Sequence, residues 1–185
     1  MGEAYCLRRI CLVAAITHTG YTGSVLESNP YSSMIKSTYL DTSVYGGYFD
    51  EEFSVDTIPF FDRILDDKIQ VFVSSLLIAE LAGAPEKVRS LIHQIPVDQQ
   101  TFIALTEEAN ILANRYIEEK VVGQTSRADC QHIAMATLVK ADVLTSWNFK
   151  HIVNLDRIRG YNRINLLMGY NAIEIRTPKE IMCYD

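Results

Sequence analysis

The chain has 185 residues, enough for one domain with a sizeable core and room for an appendage. Apolar residues make up 48% of it, with 10 Tyr and 7 Phe, a globular rather than a disordered composition. The formal charge of -6 argues against a protein drawn to nucleic acid by a basic excess, though not against a nuclease whose acids hold cations.

Residues 1–33 differ in character from the rest of the chain. Arg8 and Arg9 precede the apolar run Ile10 to Ile16, a pattern faintly like a signal peptide. The run is short and no small-x-small cleavage site comes cleanly after it, so secretion is not expected. The Thr/Gly/Ser/Asn/Pro-rich segment to Ser33 reads as loop. Met34 stands just before the first strand, so the folded domain is expected to occupy 34–185, with 1–33 an extension or a misassigned start. Cys6, Cys11, Cys130 and Cys183 form no CxxC and no zinc-site spacing with His, so neither a disulfide framework nor a zinc site is expected, and a reducing cytoplasm fits. No stretch approaches the roughly 20 apolar residues that span a bilayer.

Ser37-Thr38-Tyr39-Leu40 reads as a short buried strand that runs straight into Asp41, Thr42 and Ser43. In an open parallel sheet the carboxyl end of a strand is where ligands and chemistry collect, which makes Asp41 a candidate. Val44 to Phe53, with two glycines, reads as irregular. Asp56 to Asp67 has near-helical apolar spacing, with Pro59 expected in the first turn. Gln70 to Ser74 is a second strand, and Ser75 is the expected N-cap of a helix over Leu76 to Ala82 that carries Glu80 and ends at Gly83 and Pro85.

Pro85 to Gln94 reads as a short helix and Asp98 to Lys120 as one long helix, with Phe102, Leu105, Ala109, Leu112, Ala113 and Tyr116 as its apolar stripe. Thr125 to Asp129 opens another helix running to about Val139. Asp142 to Ser146 is a third strand and Ala172 to Arg176 a last one. Strands alternating with helices imply right-handed crossovers and a parallel sheet covered on both faces, an α/β domain of three layers, α/β/α.

Three acids then occupy comparable places: Asp41 at a strand end, Glu80 on the helix after the second strand, and Asp129 in a first helical turn. Each has a bland explanation. Asp41 and Ser43 would suit a turn or cap, Ser126-x-x-Asp129 has the form of a capping box, and Glu80 could be a solvated helix residue. Yet Glu80 and Asp129 adjoin apolar runs, so both are expected near a buried side, where an acid wants a partner. His18, His93, His132 and His151 show no ligand or triad spacing, and no catalytic role is assigned to them.

In Leu40-Asp41-Thr42-Ser43, Ser75 to Leu81, Arg127-Ala128-Asp129-x-x-x-Ile133-Ala134 and Ala141 to Phe149, the chain resembles the PIN domain, the fold of the VapC-type toxin ribonucleases. The motifs come in that family's order and span about residues 36–180. The resemblance implies a parallel sheet of four or five strands and cleavage of single-stranded RNA with Mg²⁺ or Mn²⁺, with Asp41, Glu80 and Asp129 in the acidic positions. It also implies an antitoxin protein as partner, and pairing of two copies. Where many members carry a fourth acid this sequence has Asn148, an expected weaker ligand.

Carboxylates about 4 Å apart repel by roughly 4 kcal/mol at an effective dielectric near 20, so three of them need cations or shared protons. Ser43 is a candidate to orient Asp41, and Lys150, His151 and Arg157, with Arg159 and Arg163, form a candidate phosphate track or a solvated surface run. Trp147, Phe149 and Tyr161 are expected in core packing before base stacking. Two other readings compete: a degenerate PIN module that binds RNA or protein without cutting, and a phosphatase of the haloacid-dehalogenase type. The latter expects an acid two residues after Asp41, where Ser43 stands.

Overall fold

The computed structural model describes residues 35–183, all within one unit of the chain, Ser33–Asp185. The expected extension over 1–33 and the start at Met34 lie outside the described residues, as do Cys6, Cys11 and His18. The elements among the described residues are β1 (Ser37–Leu40), α1 (Thr42–Gly47), α2 (Ser54–Asp66), β2 (Gln70–Ser74), α3 (Ser75–Leu81), α4 (Glu86–Ser90), β3 (Gln100–Ile103), α5 (Glu107–Glu118), α6 (Arg127–Leu138), β4 (Val143–Thr145), α7 (Leu155–Leu167), β5 (Ile175–Arg176) and α8 (Pro178–Cys183).

The five strands form one parallel sheet in the order β3-β2-β1-β4-β5. Tyr39 pairs with Phe72 on one side and Leu144 on the other. Alternation along the strands sends residues to opposite faces. Tyr39, Leu144 and Ile175 pack with α5, α6 and α7, whereas Leu40, Val71, Val73 and Val143 pack with α1, α2 and α3. Two cores thus sandwich the sheet, which is the three-layer α/β/α arrangement.

Several boundaries differ from expectation. Val44 to Phe53 does not begin as irregular chain: α1 starts directly after β1, and Val44 and Tyr45 are fully buried. Its glycines sit at the helix end rather than breaking it, because Asp41 caps its start. α2 begins at Ser54, so Pro59 lies inside the helix and leaves the Val55 carbonyl without its i+4 donor. Ser74, not Ser75, caps α3, its Oγ accepting the Leu77 N–H at 3.0 Å. Ser75 instead accepts the Leu105 N–H at 3.0 Å and anchors the loop behind β3. The short helix from Pro85 is α4 followed by a 3₁₀ turn, Leu91–Gln94.

The expected long helix from Asp98 to Lys120 is two elements. A 3₁₀ turn (Val97–Gln99) leads into β3, which pairs with Val71–Ser74, and only then does Thr106 cap α5. Phe102 is accordingly 66% exposed on the sheet edge and outside the stripe, and Leu105 is half-buried, while Ala109, Leu112, Ala113 and Tyr116 are buried as expected.

α1 is clamped by Gly47. A Cβ there would stand 2.7 Å from Trp147 Cδ1, 2.8 Å from Nε1 and 3.3 Å from Phe53 Cβ. The indole cannot swing aside freely, since its Nε1–H donates to Thr57 Oγ1 at 2.9 Å. Gly47→Ala is therefore expected to cost about 1–3 kcal/mol of stability. Urea unfolding checks it, and an unchanged midpoint would mean that the ring yields.

Candidate active site

The chain runs from β1 out to β2 and β3, then crosses to β4 on the other side of β1. The sheet order therefore reverses between β1 and β4, and the crevice beyond their carboxyl ends is where open α/β sheets bind ligands. Asp41 stands there, buried, with its N–H bonded to Thr145 O at 3.0 Å. Its Oδ2 accepts from Ser43 Oγ at 2.5 Å and Ser146 Oγ at 2.8 Å, with a longer bond of 3.4 Å from the Ser43 N–H. Those hydroxyls are themselves fixed: the Trp147 N–H donates to Ser43 Oγ and the Asn148 N–H to Ser146 Oγ, each at 2.9 Å. Ser43 therefore orients Asp41 as well as starting α1. The other oxygen, Oδ1, faces His132 Nε2 at 3.8 Å.

Glu80 projects from α3 with about a third of its side chain exposed. Thr42 Oγ1 donates a short hydrogen bond to its Oε2, and His132 Nε2 lies 3.0 Å from the same oxygen. Burial pushes the Glu80 carboxyl up, but the bonds to His132 and Thr42 outweigh it and hold it below its usual range. His132 is buried on α6, and its Nδ1 lies 2.7 Å from the hydroxyl of Tyr39, which donates to Ser74 Oγ at 2.8 Å. Ligand atoms of Asp41, Glu80 and His132 all fall within 4.8 Å of one another. Two hard oxygens and one imidazole nitrogen are a donor set that suits a divalent cation.

Sequence reasoning missed His132. Its signal was present: Asp129 and His132 are spaced i, i+3 and so share one face of α6.

Asp129 is half-buried in the first turn of α6 and lies outside that compact group of three. Burial raises its carboxyl above the usual range; the nearby His151 opposes this, and the charges of Asp41 and Glu80 add to it. The capping box is not formed: Ser126 makes no side-chain cap bond, and its buried Oγ has no partner among the described residues. Asp129 Oδ1 instead accepts from Asn148 Nδ2 at 2.9 Å, while Asn148 Oδ1 takes the His151 N–H at 3.0 Å. The backbone donor fixes which way the amide points. Asn148 thus turns its nitrogen, not its oxygen, toward Asp129 and acts as a positioning residue for it.

The basic run is largely occupied. Arg157 Nη1 donates to Val121 O at 3.0 Å, Arg159 lies 3.8 Å from Asp156, and Arg163 lies 3.6 Å from Glu119. Lys150 is exposed, and His151 is half-buried beside Asp129. Trp147 and Tyr161 are buried, whereas Phe149 is 52% exposed at 6.4 Å from Phe53.

No family model matches the sequence, and no curated protein matches it. Solved structures similar to it include VapBC2 and FitAcB. VapBC2 from Rickettsia felis, bound to a DNA fragment from its promoter, matches 76% of this chain and 98% of that one at 14% identity and a TM-score of 0.49. FitAcB from Neisseria gonorrhoeae matches 77% of this chain and 98% of that one at 15% identity and a TM-score of 0.49.

The raised carboxyl of Asp129 gives a pH test with a definite sign. A carboxyl whose folded value lies above its unfolded one, near 3.9, stabilises the fold below that unfolded value, and the contribution is lost as pH rises through the folded value. Asp129→Asn keeps the oxygen that accepts from Asn148 and removes the charge. In metal-free protein the variant should match or exceed the wild type in stability at pH 7, and this advantage should vanish near pH 4. Urea midpoints at the two pH values check it. A variant less stable at pH 7 would show that the charge itself is structural.

Proposed function

We propose that the protein is a PIN-type ribonuclease that cuts single-stranded RNA with Mg²⁺ or Mn²⁺, its acidic site formed by Asp41, Glu80 and Asp129. Within the same reading it serves as the toxin of a toxin–antitoxin pair, with an antitoxin protein as partner and a second copy of itself as a further one. One observation carries the nuclease reading: a buried aspartate at the sheet's switch point, with one oxygen locked by two serine hydroxyls and the other facing His132, in a group that Glu80 completes within 4.8 Å. The order of the four motifs supports the family.

Asp41 and Glu80 would hold the ion, and Asp129, within reach of their charges, would add negative potential to the same crevice. A divalent ion bound there supplies Lewis-acid polarisation of the phosphate and acidifies water. Ser43 and Ser146 keep Asp41 from rotating, Thr42 holds Glu80, and Asn148 holds Asp129. The preorganised carboxylates need no rearrangement when charge develops on the phosphate. Phe149, with its exposed ring, and Lys150 are candidates for contact with a base and a phosphate.

A second reading, a module that binds RNA or protein without cutting, is favoured by one observation: an amide, not an acid, stands at Asn148. Incubating the purified protein with a mixed pool of single-stranded RNA separates the two. The nuclease reading predicts cutting with Mg²⁺ or Mn²⁺ and none with EDTA. Cutting that survives EDTA contradicts metal dependence, and binding without cutting under every ion favours the module.

A further inference from the structure

We infer that His132 is a direct metal ligand through Nε2, which makes this a mixed nitrogen–oxygen site that prefers Mn²⁺ to Mg²⁺. The inference rests on the metal-dependent reading above and deepens it.

Geometry is the first support. Around an octahedral ion with ligands at about 2.1 Å, adjacent donors lie about 3 Å apart and opposite ones about 4.2 Å apart. His132 Nε2 lies 3.0 Å from Glu80 Oε2 and 3.8 Å from Asp41 Oδ1, and the whole set falls within 4.8 Å. The first two separations fall in that range, and the 4.8 Å limit of the set is within reach of carboxylate bonds of up to about 2.6 Å, so one ion can touch all three.

The gap between His132 and Asp41 is the second. One Nε2–H can serve only one acid by hydrogen bonding, and Glu80 Oε2 at 3.0 Å takes that place. Asp41 is more than nine-tenths buried, yet its Oδ1 stays 3.8 Å from Nε2, beyond hydrogen-bond distance. The other oxygen is committed to Ser43 and Ser146, so Asp41 is held at that separation rather than free to move in.

The remote ring nitrogen is the third. Ligating histidines are oriented by a partner on their other nitrogen. His132 Nδ1 has one in Tyr39, a fully buried residue whose hydroxyl is tied to Ser74 and whose ring meets the imidazole edge-on at 5.7 Å. Nε2 is thereby aimed at the acids. An imidazole nitrogen favours first-row transition ions over Mg²⁺, which prefers oxygen and retained water.

Pulsed electron paramagnetic resonance on the Mn²⁺-loaded protein tests ligation directly, and calorimetry with Mn²⁺ and Mg²⁺ tests preference. Mn²⁺ is expected to bind at least about tenfold tighter than Mg²⁺, and Asp41→Asn to abolish that binding, which locates the ion. The bound Mn²⁺ should show ¹⁴N modulation that changes when histidine is ¹⁵N-labelled, disappears in His132→Gln and persists in His151→Gln. In His132→Gln the Mn²⁺ affinity should fall roughly tenfold or more while the Mg²⁺ affinity moves less. If His132→Gln does not fold, the labelled wild type and His151→Gln decide together, and loss of the coupling in His151→Gln would overturn the inference. Mn²⁺ bound at Asp41 without nitrogen coupling would overturn the inference and leave the metal-dependent reading standing. No Mn²⁺ binding at all would overturn both.

Discussion

Asp41→Asn will lower RNA cleavage by at least about a hundredfold and leave the fold intact. Losing one charged ligand removes several kcal/mol of electrostatic stabilisation of the reacting phosphate, and each 1.36 kcal/mol is tenfold in rate. The fold should survive because every structural bond of Asp41 has a counterpart in asparagine. The amide oxygen can accept from Ser43 and Ser146 and cap α1, and Asn is as good a cap as Asp. That choice turns the amide NH₂ toward Glu80 and His132, where an ion would need an oxygen. Without metal, the variant also sheds carboxylate repulsion, so its Tm should hold or rise. Cleavage within a few fold of wild type, in a protein with an unchanged Tm, would remove Asp41 from the chemistry.

The largest loss of stability is expected at Trp147, whose indole sits only 8% exposed and stacks on Phe53 at 4.7 Å. Truncating a buried Trp to Ala costs about 3–5 kcal/mol. Here it also removes the donor to the fully buried Thr57 hydroxyl, which is left with its own bond to the Phe53 carbonyl at 2.7 Å. At about 2–4 °C per kcal/mol for a domain of this size, the Tm of Trp147→Ala should fall by roughly 10 °C. Activity should fall as well, because the backbone N–H of residue 147, which holds Ser43 against Asp41, loses the side-chain packing that fixes its place. Trp147→Phe keeps an aromatic ring on Phe53 but loses the bond to Thr57 and the indole's second ring, so its loss should be nearer about 1–3 kcal/mol. Equal stability for Trp147→Ala and wild type would mean that the site's floor is not built on this residue.

The strands that carry the site were legible because burial on both faces leaves a continuous apolar signature. β1, β2 and β4 are of that kind, and Asp41 stands out as the first acid after one of them. β3 was not legible: it is an edge strand with Phe102 in the open, and its pairing with β2 is a tertiary choice that helical spacing downstream concealed. α1 was hidden by Gly46 and Gly47, which read as loop signals although one of them is required by the close approach of Trp147. Asp129 looked like a capping residue, and only the geometry shows that Asn148 takes its oxygen while Ser126 does not. His132 was passed over because its partners, Tyr39 and Glu80, are 93 and 52 residues away in the chain. The one local sign of it is the i, i+3 spacing from Asp129 on α6.

A divalent ion shared by Asp41 and Glu80 at the switch point of the sheet is the core of the proposed function. Anomalous diffraction from crystals of the protein grown with Mn²⁺ measures this directly. A Mn²⁺ peak is expected in contact with Asp41 Oδ1 and Glu80 Oε2, at the roughly 2.0–2.6 Å of carboxylate coordination. No peak there at saturating Mn²⁺, or a peak only at other residues, would contradict it.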